Sequence, residues 1–310
     1  MIHWNKLGLV FKPTGEYSWS KSHAQVPFGF PLDKDTIRVF FSTRDEQSRS
    51  SVSFVDVDAA NPTVVKYVHD QPCLQAGSLG YFDDSGTMPS WFVQMDGKIR
   101  LYYTAWNSSK TASYRLSIGI AESTDNGLTF DKIYDGPVMD RGIFDQIWVG
   151  QPSVIKEGNT WKMWYLSCTK IEYIDNHPEP FYNVKYATSE DGINWHKTGK
   201  VCIEYDDFTD AIGRPSVLFE DGMYKMFYAF RSAKDYRTDK TKSYRLGYAE
   251  SANGIDWTRK DSEIGLNKSA SGWDSEMITY AHVIKVNDKK MAFFNGNGFG
   301  ASGFGVAIEK

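Results

Sequence analysis

Three carboxylates keep one offset in this chain: Asp84, Asp210 and Glu276 each stand five residues before Pro89, Pro215 and Ala281. Asp145 and Asp274 stand seven residues before Pro152 and Ala281. Carboxylates on neighbouring walls of one pit can divide acid–base work, one kept protonated by burial or a like charge, the other ionised as base or nucleophile. On a glycosidic bond that arrangement hydrolyses, with roughly 6.5–9.5 Å between carboxyls for inversion and roughly 5–5.5 Å for retention. The same register supplies binding groups. Gln151, Arg214 and Tyr280 immediately precede three of the reference positions, and His23, Gln25 and Asp45 flank the first unit's equivalents. Arg44, Trp106, Arg231 and Asn297 follow by three residues the aromatic that closes a second strand. Arginines grip carboxylate or phosphate bidentately, and an indole face takes the apolar side of a sugar ring.

What positions these residues is a repeat. QPSVIKEGNTWKMWY, ending at Tyr165, aligns without a gap to RPSVLFEDGMYKMFY, ending at Tyr228. MPSWFVQMDGKIRLYY, VPFGFPLDKDTIRVFF and YAHVIKVNDKKMAFF extend the series to five units of about 62 residues. Each unit predicts a strand after the Pro or Ala, a tight turn, an alternating second strand and a third strand such as YRLGYAES. An Asp/Asn-Gly turn then leads to a fourth strand, as in STDNGLTF, SEDGINW and SANGIDW. Units of four strands predict propeller blades, so the fold expected is all-β, a single five-bladed β-propeller over residues 1–310. The start, WNKLGLV, echoes WHKTGKV, which opens a fourth strand, so the N-terminal strand is expected to close the last blade. Core positions repeat between units while the residues at the blade entries vary, as expected of a site grafted on a scaffold.

A net charge of −4 excludes nucleic-acid binding through a basic surface, and no apolar run of about 18 residues predicts a membrane span. Cys73, Cys168 and Cys202 are odd in number and far apart, which predicts free thiols, and with an N-terminus too short and polar for a signal peptide a cytoplasmic location is expected. No cysteine or histidine spacing fits a metal site, so no metal is expected, and His282 on an inner strand predicts a hydrogen-bonded core residue. The segments 168–181 and 231–243 are expected to be long loops that wall or lid the pit.

The repeat, the blade-entry carboxylates and the Asp-Gly turns resemble five-bladed propeller glycosidases of glycoside hydrolase families 43, 32, 68 and 130. HAQVP, FFSTRD, FDDSGTMPS, GRPSV, GWDSEMI and NGNGFGASGFG most resemble a glycosidase-like subgroup found among bacterial surface-polysaccharide genes. The resemblance implies cleavage or transfer of a glycosyl unit, with Asp84, Asp210 and Glu276 as the catalytic carboxylates. His23, Gln25, Arg44, Asp45, Trp106, Asp145, Gln151, Arg214, Arg231, Asp274, Tyr280 and Asn297 would bind a sugar, oligosaccharide or nucleotide sugar. The chain departs from the hydrolases at its first blade, where Ser22 stands in place of an Asp. A phosphate needs cations and no base, so the arginines point to phosphate as co-substrate or as part of an activated sugar. The alternative is a sugar-binding propeller without catalysis, or a neutral sugar with the arginines paired to the carboxylates.

Overall fold

The computed structural model describes residues 1–206 and 209–310. Strand β1 (Trp4–Phe11) precedes a run of antiparallel meanders. The first is β2 (Ser22–Pro31), β3 (Thr36–Arg44), β4 (Ser50–Asp58) and β5 (Val65–Val68). The second is β6 (Gly86–Met95), β7 (Lys98–Ser109), β8 (Ser113–Ser123) and β9 (Asp131–Lys132). Next come β10 (Trp148–Glu157), β11 (Thr160–Ile174), β12 (His177–Ser189) and β13 (His196–Ile203). Then follow β14 (Ala211–Glu220), β15 (Met223–Arg231), β16 (Arg245–Ser251) and β17 (Thr258–Arg259). The last strands are β18 (Thr279–Val286), β19 (Lys289–Asn295) and β20 (Phe304–Glu309). β1 pairs antiparallel with β20, Trp4 opposite Glu309, so the chain's first strand completes its last sheet.

Among the described residues no backbone ladder closes a sheet on itself; packing between the first strands of the meanders links them. The Val217 N–H donates to Ser153 Oγ at 3.1 Å and the Val283 N–H to Ser216 Oγ at 3.0 Å. The Gly29 N–H donates to His282 Nδ1 at 3.1 Å, carrying the same step from the last sheet back to the first. His282 is therefore the hydrogen-bonded core residue its position suggests.

The turns repeat as chemistry as well as sequence. Ser123, Ser189 and Ser251 accept the N–H of Gly127, Gly192 and Gly254, and each bonds to the Asp125, Asp191 or Asn253 side chain two residues on. Gly192 has φ +71°, and a Cβ there would lie 2.7 Å from Tyr102 Oη, so only glycine fits. The aromatics that close these turns pack on the preceding meander: Phe130 on Phe40, Trp195 on Tyr102 and Trp257 on Trp164.

Residues 168–181 are mostly not the loop expected. β11 and β12 run out as a hairpin turned by Asp175-Asn176, both left-handed at φ +49° and +62°, the geometry that Asx residues take in a two-residue turn.

Candidate functional site

The first strand of four meanders carries a bulge at the residue before the reference position. Val26, Gln151, Arg214 and Tyr280 sit there at φ between +48° and +56°, where the ladder slips register. A left-handed non-glycine residue costs about 1–2 kcal/mol, and a bulge re-aims its side chain. Gln151 and Tyr280, with Met88 and Gln25, thereby reach a cavity of about 360 Å³. The ends of the second strands add Arg44, Trp106 and Arg231. The third strands add Ser50, Tyr114, Leu116 and Tyr182, with Tyr244 just before β16. Ser48, Tyr236 and Arg237 come from loops and Phe299 from the short 3-10 helix Gly298–Gly300, so segment 231–243 does wall the cavity.

Of the residues singled out in the sequence, this cavity brings together Gln25, Arg44, Trp106, Gln151, Arg231 and Tyr280. Arg44 donates to Gln25 Oε1 at 3.1 Å, and Trp106 Nε1 donates to Ser50 Oγ at 2.8 Å. Arg231 is nearly sealed from solvent; its Nε donates to Tyr244 Oη at 3.3 Å and its guanidinium lies 3.7 Å from the Tyr236 ring centre. Behind the wall lies Glu179, 4% exposed, which accepts from Arg237 Nε at 3.0 Å and sits 4.0 Å from Arg231. One carboxylate thus serves two arginines, and no carboxylate stands among the described lining residues.

The other expected site residues lie elsewhere. Asp145 and Asp274 do not face the cavity. Asp145 is fully buried between Lys197 at 2.9 Å and Lys185 at 3.3 Å, with Ser167 donating to it at 2.6 Å. Burial pushes its pKa up, but those hydrogen bonds and lysine charges outweigh burial and hold it below the usual range. Asp274 pairs with Lys6 at 2.5 Å, and Asp83, which the sequence reading passed over, pairs with Lys132 at 2.6 Å in the same way. These three tie the loop before a first strand to the outermost strand of the same sheet.

Asp84 accepts from the Gly80 N–H and Ser85 hydroxyl, Asp210 from the Ala233 N–H, and Glu276 pairs with Lys240 at 2.5 Å. All three are half-buried at strand entries; none lines the cavity and no hydrogen bond joins one to another. Asp45 caps its own loop through Arg49 at 2.9 Å. The Asn297 side chain holds a loop, accepting from the Glu276 N–H and donating to Gly272 O. His23 bonds Ser22 Oγ at 2.8 Å; burial and then the Arg44 charge lower its pKa to about 4, so it is neutral at pH 7.

Arg214 is completely buried beneath the cavity wall rather than in it. Its Nη1 donates to Ser90 O at 2.7 Å, while Nε and Nη2 have no hydrogen-bond partner. Burial lowers its pKa to about 9. Among the described residues no cluster of three or more His, Cys, Asp or Glu could hold a metal ion, and no helix is long and apolar enough to cross a membrane.

No family model matches the chain. Over 306 residues it is 34% identical to two Mycobacterium tuberculosis proteins, uncharacterized protein MT1551 of strain CDC 1551 / Oshkosh and uncharacterized protein Rv1502 of strain ATCC 25618 / H37Rv, with 98% of each chain covered. Among solved structures it is similar to a glycoside hydrolase at TM-score 0.74 and 15% identity, covering 98% of this chain and 90% of that one. A glycosyl hydrolase from Bacteroides ovatus matches at TM-score 0.73 and 16% identity, over 99% and 93%. A structure from the GH130 family of mannoside phosphorylases, which contains glycoside hydrolases that target β-1,2 mannosidic linkages in Candida mannan, matches at TM-score 0.68 and 15% identity, over 99% and 93%. The fold is that of the glycosidase-like propellers.

Proposed function

The chain belongs to the family of the Mycobacterium tuberculosis proteins MT1551 and Rv1502, and we propose that it is a carbohydrate-active protein, a five-bladed propeller in the cytoplasm whose pit takes an anionic glycosyl ligand. The supporting observation is the wall itself: Arg44, Arg231 and Arg237 beside Trp106 and five tyrosines, with no carboxylate among the described lining residues. Arginines in a partly dry pit match a carboxylate or phosphate, and the aromatic faces match the apolar side of a sugar ring. A neutral sugar would leave the three cations with only the one carboxylate of Glu179 between them.

On this reading the ligand is an acidic sugar, a sugar phosphate or a nucleotide sugar, and the reaction cleaves or transfers its glycosyl unit in surface-polysaccharide metabolism. Asp84, Asp210 and Glu276 stand outside the wall, so bond chemistry falls to groups on it. That placement also favours a second reading, in which the pit binds such a ligand without turning it over. Calorimetric titration with glucuronate, glucose 1-phosphate and glucose tests the proposal. The two anions should bind and glucose should not, and Arg231→Ala should weaken anion binding by about 1.5–3 kcal/mol, the scale of a hydrogen bond to a charged group. Glucose binding as tightly as glucuronate would sink it.

A further inference from the structure

Hydrolysis by two carboxylates needs both beside the scissile bond, and the described wall of this pit holds neither. What it holds is a cluster of phenols centred on one oxygen. Tyr244 lines the cavity; its hydroxyl bonds to the Tyr182 hydroxyl and accepts from Arg231 Nε at 3.3 Å. Tyr280 packs against it with ring centres 5.6 Å apart. Burial holds Tyr182 and Tyr280 well above the ordinary phenol range, so both keep their protons, and Tyr182 can donate to Tyr244. One phenolic oxygen thus meets both a guanidinium N–H and a neighbouring phenol, groups through which a proton can be passed to and from it. Two of the wall's three arginines share the single carboxylate of Glu179, which leaves net positive charge on the wall for an anion.

We propose that Tyr244 is the proton-transferring residue of the pit and that its substrate is a uronate glycoside, cleaved by elimination. The proposal rests on the anionic-ligand reading above. An arginine neutralises the sugar carboxylate and so acidifies the hydrogen on the adjoining ring carbon, C5. The Tyr244 phenolate takes that proton. The C5–H electron pair becomes a C4=C5 double bond, and the C4–O4 bond breaks. O4 leaves with the proton now on Tyr244, which restores the phenolate; no water is consumed and no oxidant or reductant is needed.

The test uses the intact chain with glucuronate as binding probe and with oligosaccharides of polygalacturonate, heparosan and alginate as substrates. Turnover should raise the ultraviolet absorbance of the unsaturated uronate on at least one substrate. Tyr244→Phe should lower that rate at least about 100-fold, the scale of lost proton transfer, while glucuronate affinity and the melting temperature stay close to wild type. Failure of glucuronate to bind would overturn the anionic-ligand reading itself. Binding without unsaturated product from any of the three substrates overturns elimination alone. Unsaturated product that survives Tyr244→Phe but is lost in His23→Ala overturns the role of Tyr244.

Discussion

The imidazole of His282 accepts the Gly29 N–H at 3.1 Å, and through that bond the last sheet of the chain is fastened to the first. His282 also stacks on Phe28 with ring centres 3.6 Å apart. His282→Ala leaves a buried N–H without a partner and opens a cavity against Phe28. A loss of about 2–4 kcal/mol is expected, read as a lower urea midpoint with an unchanged slope. A loss below about 0.5 kcal/mol, the range of an ordinary surface substitution, would show that this junction does not hold the fold together.

The same residue gives the protein an acid limit. Burial, then the Arg214 charge, holds the His282 pKa well below 6.5, and burial, then Arg44, lowers His23 to about 4. In the unfolded chain both bind protons as pH falls through about 6.5. Between that pH and their folded values the unfolded state carries more protons, so stability falls as pH drops from 7 toward 5. Urea denaturation at pH 7 and pH 5 should show the fall, and the double variant His23→Gln, His282→Gln should flatten it. An equal slope in the variant would assign the acid limit to other groups.

Arg214 predicts the opposite sign from most core changes. It is a fully buried cation with one hydrogen bond, to Ser90 O, and two nitrogens without partners. Replacing a poorly compensated buried charge with an apolar side chain of similar length is often stabilising by about 1–4 kcal/mol. Arg214→Met should therefore raise or preserve the melting temperature. A marked drop would mean that the guanidinium has an anionic partner in solution.

How far the site could be read from sequence follows from which strand carries each residue. The second-strand positions Arg44, Trp106 and Arg231 were legible because an aromatic three residues earlier marks the register. Their cross-strand partners carried an equally regular signal: Ser50, Leu116 and Tyr182 face Arg44, Trp106 and Cys168 across the ladder. Leu116, Tyr182 and Tyr244 each stand seven residues before the serine of the following turn. Asp145 and Asp274, expected at the pit, are held elsewhere for a physical reason. A buried Asp beside a lysine and a ligand-facing Asp have the same letter at the same offset, and only the Lys132, Lys197 and Lys6 partners of Asp83, Asp145 and Asp274 separate them. Arg237 lies on a loop and Phe299 in the short 3-10 helix Gly298–Gly300, both outside the repeat, where no register exists to place them.

Asp145 then tests structure against function directly. Asp145→Asn removes a charge held between Lys185 and Lys197 and leaves two lysines, both mostly buried, without it. Breaking a buried pair from one side costs about 3–5 kcal/mol, so the melting temperature should fall. Binding of glucuronate should be unaffected, because the side chain does not reach the cavity. Lost affinity in a variant that still folds would return Asp145 to the site.

The last prediction concerns charge behind the wall. Glu179 is almost fully buried, bonded to Arg237 at 3.0 Å, to His177 at 2.9 Å and 4.0 Å from Arg231, while its Oε2 has no hydrogen-bond partner. It holds Arg237 and the 231–243 loop in place, yet its charge opposes that of any anion the two arginines face. Glu179→Gln keeps the shape and removes the charge. The loop should loosen, read as faster proteolysis within 232–243, because an ion pair becomes a weaker hydrogen bond from Arg237 to a neutral amide. Anion affinity should rise at the same time. A unit charge removed from about 7 Å at an effective dielectric near 40 is worth about 1.2 kcal/mol, or close to tenfold. Added salt should shrink that gain, since screening acts on this charge as on the ligand's. Weaker binding of glucuronate in Glu179→Gln, with the loop still protected, would mean that the carboxylate takes part in holding the ligand and that the arginines alone do not define the site.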